Sequence, residues 1–70
     1  MRKFKTIKEI KTNTVWTSCD GAGHEVTVVG TEMGLVEDVV HYKWIENGKE
    51  IFHDKSCFSF QVRYYLKGEE

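Results

Sequence analysis

A chain of 70 residues, 40% of them hydrophobic and nine aromatic, has material for one small core and too little for a second domain. Its formal net charge of −1 hides a basic end on an acidic body: residues 1–11 sum to +4, residues 12–54 to −6 and residues 55–70 to +1. This excludes the broad basic face of a strong duplex-DNA binder, and no apolar run approaches the roughly 18 residues of a membrane span. Proline is absent and the six glycines are scattered, which argues against linkers and low-complexity segments. No apolar stretch follows the charged N-terminus, so no secretory signal is expected. The expected compartment is then a reducing cytoplasm, with Cys19 and Cys57 as thiols.

Residues 1–13 read as a basic arm. Phe4, Ile7 and Ile10 recur every third residue among lysines, which fits a short amphipathic helix or an irregular arm laying Phe4 and Ile7 across the core. The sharper reading is a basic arm reaching for phosphate. Residues 14–66 then form a single small β domain. Thr14 to Cys19 is rich in β-branched and aromatic residues and predicts a strand. Asp20-Gly21-Ala22-Gly23 supplies a turn. His24 to Gly30 predicts a second strand, with Val26 and Val28 on one face and Glu25 and Thr27 on the other. Thr31 to Asp38 breaks this pattern around Met33-Gly34 and predicts a loop.

The plainest signal follows. Asn47-Gly48 separates two strand-like runs, residues 39–46 and 49–53, and suits a two-residue type I′ turn. Such a turn sets Glu46 against Lys49, Trp44 against Ile51 and Tyr42 against His53, pairing opposite charges and an aromatic with a β-branched residue. Residues 54–66 read two ways: Phe58, Phe60, Val62, Tyr64 and Leu66 alternate as in a strand, while Phe58, Val62, Tyr65 and Leu66 form a helical stripe. The compromise is one helical turn near Ser56–Phe60, capped by Ser56, with an extended chain through Arg63 and Tyr64. Residues 67–70 predict a frayed end. Four to five short antiparallel strands cannot bury two separate sheets. The predicted fold class is therefore mainly β: a small antiparallel SH3-like barrel or strongly bent β-roll.

Metal-binding residue types are present. Cys19 with His24, and His53 with Cys57, make a two-Cys, two-His set that a structural zinc would favour, but neither pair has a knuckle spacing. No cofactor is expected, and a Cys19–Cys57 disulfide is a further alternative. Catalysis has no frame: no motif surrounds a nucleophile, and Glu37 and Asp38, as neighbours on an extended chain, point apart. An enzyme is not expected. Binding fits better. The hairpin carries Tyr42, Trp44 and Ile51 on one face and His41, Lys43, Ile45, Glu50 and Phe52 on the other, and the sequence leaves open which face is core. A sheet this small cannot hide every ring, so Tyr42, Trp44, Ile45, Phe52, Tyr64 and Tyr65 form the candidate protein-binding set, a homodimer face included. Lys3, Lys5, Lys8, Lys43 and Arg63, beside exposed aromatics, form the alternative set for single-stranded nucleic acid.

Trp16, Asp20, Gly23, Val26, Val28 and the run Phe60-Gln61-Val62-Arg63-Tyr64, with Cys57 upstream, resemble a family of very short, functionally uncharacterised proteins of tailed phages and prophages. The likeness spans about residues 15–65; the residue 31–38 loop and the basic arm depart from it. It implies an origin in a mobile element and a small accessory protein that binds a host or phage protein, by analogy alone.

Overall fold

Asn47 and Gly48 both have positive φ, 53° and 80°, a conformation that asparagine tolerates and glycine adopts freely. The turn they form joins the third and fourth strands of a sheet. The computed structural model describes residues 3–68 and places five strands in it: β1 (Val15–Ser18), β2 (Glu25–Glu32), β3 (Val39–Glu46), β4 (Lys49–Ser56) and β5 (Tyr64–Leu66). A helix, α1 (Cys57–Arg63), lies between the last two, and a 3-10 turn, Ile7–Glu9, precedes β1. Residues 1 and 2 of the basic arm and residues 69 and 70 of the expected frayed end lie outside the described residues.

All pairings are antiparallel, in the order β4-β3-β2-β1-β5. The protein is thus mainly β, as expected, with one open sheet whose edges are β4 and β5. The expected hairpin register is present: Glu46↔Lys49, Trp44↔Ile51 and Tyr42↔His53. Pairing continues to Val39↔Ser56, so β4 runs three residues beyond His53 because β3 offers it eight partners. β2 likewise reaches Glu32, after a bulge at Val29 that shifts the register between Val28↔Tyr42 and Gly30↔His41. The loop therefore shrinks to residues 33–38. Gly34 is required there, because a side chain would collide with the main-chain carbonyl of Glu37.

One face of the sheet is the core. Trp16, Val26, Val28, Val40 and Tyr42 all point to it and are buried, as strand alternation dictates. Phe60 of α1 lands on this face, with ring centroids 5.0 Å from Trp16, 5.1 Å from Tyr42 and 5.2 Å from Tyr64. Ile7 and Ile10 complete the cluster from the arm. The helix and arm so cover the apolar face that barrel closure would otherwise cover. The Trp16 indole N–H finds its partner locally, donating to Thr14 Oγ1 at 3.0 Å.

The arm is tied down by polar contacts. Thr6 donates its N–H and its hydroxyl to the Glu9 carboxylate at 2.8 and 3.1 Å, which closes the 3-10 turn and holds the Glu9 carboxyl below the usual carboxylate range. Gln61 Oε1 accepts the Lys5 N–H at 2.7 Å, while Gln61 Nε2 donates to the Lys5 carbonyl at 2.8 Å. Ser56 caps α1 as expected, accepting from the Ser59 N–H at 3.2 Å. The helix runs on to Arg63, further than the single turn expected through Phe60, and the extended chain begins at Tyr64. Among the described residues, no helix is long and apolar enough to cross a membrane.

Candidate binding groove and outer face

The β1–β2 loop, the end of β3 and the last turn of α1 meet at one end of the sheet. They enclose an open groove of about 1020 Å³. The Asp20-Gly21-Ala22 turn builds one wall: Asp20 Oδ1 accepts the Ala22 N–H at 2.9 Å and the Ser18 hydroxyl at 2.7 Å. These donors, the Ala22 N–H first, hold the Asp20 carboxyl below the usual carboxylate range, and nearby His24 adds to the effect. Main-chain bonds from Ser18 N–H to the His24 carbonyl and from Cys19 N–H to the Arg63 carbonyl, both 2.8 Å, fix the loop and the helix end against each other.

Trp44 builds the opposite wall. Its ring stacks on Tyr42 with centroids 6.0 Å apart and meets His53 edge-on at 6.2 Å. Its indole N–H donates to Glu46 Oε1 at 3.4 Å. Ile45, Val62, Arg63 and Tyr64 form the rest of the rim. Tyr42 lies beneath, and burial pushes its hydroxyl pKa far up.

Around the rim from the groove is the outer face of the sheet. The pairs Lys43↔Phe52 and Ile45↔Glu50 lie side by side there, so Ile45 and Phe52 are diagonal neighbours, a separation of about 7–8 Å in such ladders. Two ion pairs lie on this face, Lys43 with Glu50 at 2.6 Å and Lys67 with Glu25 at 2.8 Å, and His41 lies 3.1 Å from Glu32 and 3.8 Å from Asp54. Ile45 and Phe52 are left 63% and 62% exposed.

The hairpin's two faces are thereby assigned. Of the candidate protein-binding set, Tyr42 is a core residue, 1% exposed, and presents nothing to a partner. Burial follows from its position beneath Phe60. Trp44, Ile45 and Tyr64 meet at the groove, Phe52 stands on the outer face, and half-buried Tyr65 points outward opposite Thr17. The nucleic-acid set does not converge. Lys43 is ion-paired on the outer face, Lys3, Lys5 and Lys8 belong to the arm over the opposite face, and Arg63 is at the groove. The metal set is dispersed as well. Cys19 and His24 border the groove, His53 packs on the Tyr42 and Trp44 rings, and Cys57 lies at the start of α1 beside the Lys5 carbonyl. Among the described residues no three His, Cys, Asp or Glu side chains are grouped to hold a metal, and neither cysteine is in a disulfide.

Sequence reasoning missed Asp20, Glu46 and Val62 as groove residues. The first two carry turn signals that account for them locally, and Val62 fits an inward strand position equally well. Comparisons against protein-family profiles, curated proteins and solved structures all returned no match.

Proposed function

We propose that this protein is a small non-catalytic accessory protein of phage type, acting in the cytoplasm of a bacterial host by binding a host or phage protein. Contact is made where the groove meets the outer face, through Ile45 and Phe52 with Trp44, Tyr64 and Tyr65 around them. The observation that carries this reading is the exposure of Ile45 and Phe52 as diagonal neighbours beside the Lys43–Glu50 ion pair. Such a surface gains from covering apolar area. The five-stranded antiparallel sheet under one short helix supports an SH3-like scaffold for this task, and the likeness to short phage proteins supports the source of the partner.

Affinity capture from bacterial lysate, run with the native chain and with Phe52→Ser, tests the reading. A protein retained by the native chain and lost with Phe52→Ser is the expected result. Retention by both refutes contact at this face. Tight binding of single-stranded RNA or DNA that weakens steeply with salt would instead favour the nucleic-acid reading built on Lys3, Lys5, Lys8, Lys43 and Arg63.

A further inference from the structure

The groove has a charge pattern that an apolar contact does not use. Its lining holds Asp20, Glu25 and Glu46 against Arg63. Glu25 is taken by Lys67, which leaves Asp20 and Glu46 as the carboxylates on the two walls. Asp20 is held in place by the Ala22 N–H and the buried Ser18 hydroxyl, both on Oδ1, so its position is set before any ligand arrives. Glu46 is drawn to the edge of the Trp44 ring by the indole N–H. Lys49 faces Glu46 across the turn, yet no ion pair within 4 Å joins them. The indole stacks on Tyr42 and meets His53 edge-on, and Trp44 also lines the groove.

We propose that this groove receives an arginine side chain from an extended segment of the protein partner, its guanidinium lying on Trp44 between Asp20 and Glu46. The proposal rests on the protein-binding reading above and names the chemistry of the partner. Arginine suits the site better than lysine. Its planar cation stacks on an indole, the strongest cation–π acceptor among side chains, while its N–H fork reaches carboxylates at the ring edge. Arg63 on the rim repels a bare cation, and this favours a segment whose main-chain carbonyls can accept from Arg63 while its side chain enters the groove.

Tryptophan fluorescence provides the test, because the chain has two tryptophans and the other, Trp16, is 2% exposed. The probe is a blocked arginine-rich decapeptide free of aromatic residues, at low ionic strength, with lysine-rich and glutamate-rich counterparts. Saturable quenching by the arginine peptide, severalfold weaker quenching by the lysine peptide and none by the glutamate peptide are expected. Asp20→Asn with Glu46→Gln retains both acceptor oxygens, so folding is preserved, and is expected to weaken arginine-peptide binding about tenfold. Arg63→Gln is expected to tighten it. Binding of the glutamate peptide in place of the arginine peptide, or a double variant within twofold of the native chain, overturns the proposal. Phe52 lies outside the groove, so Phe52→Ser should leave arginine-peptide binding intact. That variant reports on partner contact at the outer face alone, so failure of one claim is distinguishable from failure of the other.

Discussion

Gln61→Leu is expected to detach the N-terminal arm from the helix, and its cost can be worked from four atoms. Gln61 is 3% exposed, and its amide satisfies both main-chain groups of Lys5, at 2.7 and 2.8 Å, as a neighbouring strand would. The same nitrogen reaches the Cys57 carbonyl at 3.3 Å. Leucine has nearly the volume of glutamine but leaves the Lys5 N–H and carbonyl without this partner, and a stranded buried polar group costs about 1–3 kcal/mol. Lys5 is only half-buried, so water recovers part of that loss, and a total of about 2–3 kcal/mol is expected. A domain of this size has roughly 3.5–10 kcal/mol in all. The corresponding fall in Tm is about 10–20 °C, read by circular dichroism on heating. Gln61→Glu keeps the acceptor but sets a buried carboxylate oxygen against the Lys5 and Cys57 carbonyls, so at neutral pH it should cost at least as much as Gln61→Leu. In a chain lacking residues 1–5 the effect of Gln61→Leu should shrink, since its main partner is gone. A Gln61→Leu Tm within about 2 °C of the native value would refute the arm as part of the fold.

Phe60→Ala removes the ring shared by Trp16, Tyr42 and Tyr64 and is expected to cost about 3–5 kcal/mol, close to the whole stability of the domain, whereas Phe60→Leu should cost about 1.5 kcal/mol; urea unfolding distinguishes them, and equal effects would contradict the ring cluster. Cys19 is exposed while Cys57 is half-buried, with its thiol pKa pushed up by burial, so a disulfide reagent at neutral pH should modify Cys19 at least about tenfold faster. Equal rates would mean that α1 opens freely. The Asp20 carboxyl is depressed by the Ala22 and Ser18 donors, so its contribution to stability is fully present above about pH 4 and is lost as pH falls through the depressed folded value. Asp20→Asn should therefore flatten the acid limb of a Tm-against-pH profile by lowering Tm at pH 7 while leaving Tm at acid pH nearly unchanged; an unaltered acid limb would remove Asp20 from that account.

The hairpin was legible in the sequence because its information is local. Asn47-Gly48 states the turn type, and the turn type fixes Trp44↔Ile51 and Tyr42↔His53 without reference to the rest of the chain. Which face is core was not legible, because Tyr42 and Trp44 on one side and Ile45 and Phe52 on the other are equally apolar. That choice is made by Phe60, eight residues and more away, which sits on Tyr42 and not on Phe52. The extent of α1 was hidden for a related reason: Phe58, Phe60 and Val62 alternate as a strand does, but only Phe60 of the three is buried. The groove was legible in part. Trp44, Ile45, Tyr64 and Arg63 were singled out from composition, while their meeting with Asp20 depends on β1 pairing with both β2 and β5, a non-local arrangement.

The central claim is that a protein partner covers Ile45 and Phe52. Calorimetric titration of the captured partner with the native chain and with Ile45→Ser/Phe52→Ser tests it most directly, the fold of the variant being checked by an unchanged circular dichroism spectrum. Apolar anchors at the centre of an interface carry about 2 kcal/mol or more, so affinity should fall at least about thirtyfold. Binding within threefold of the native chain, with the fold intact, would contradict the account.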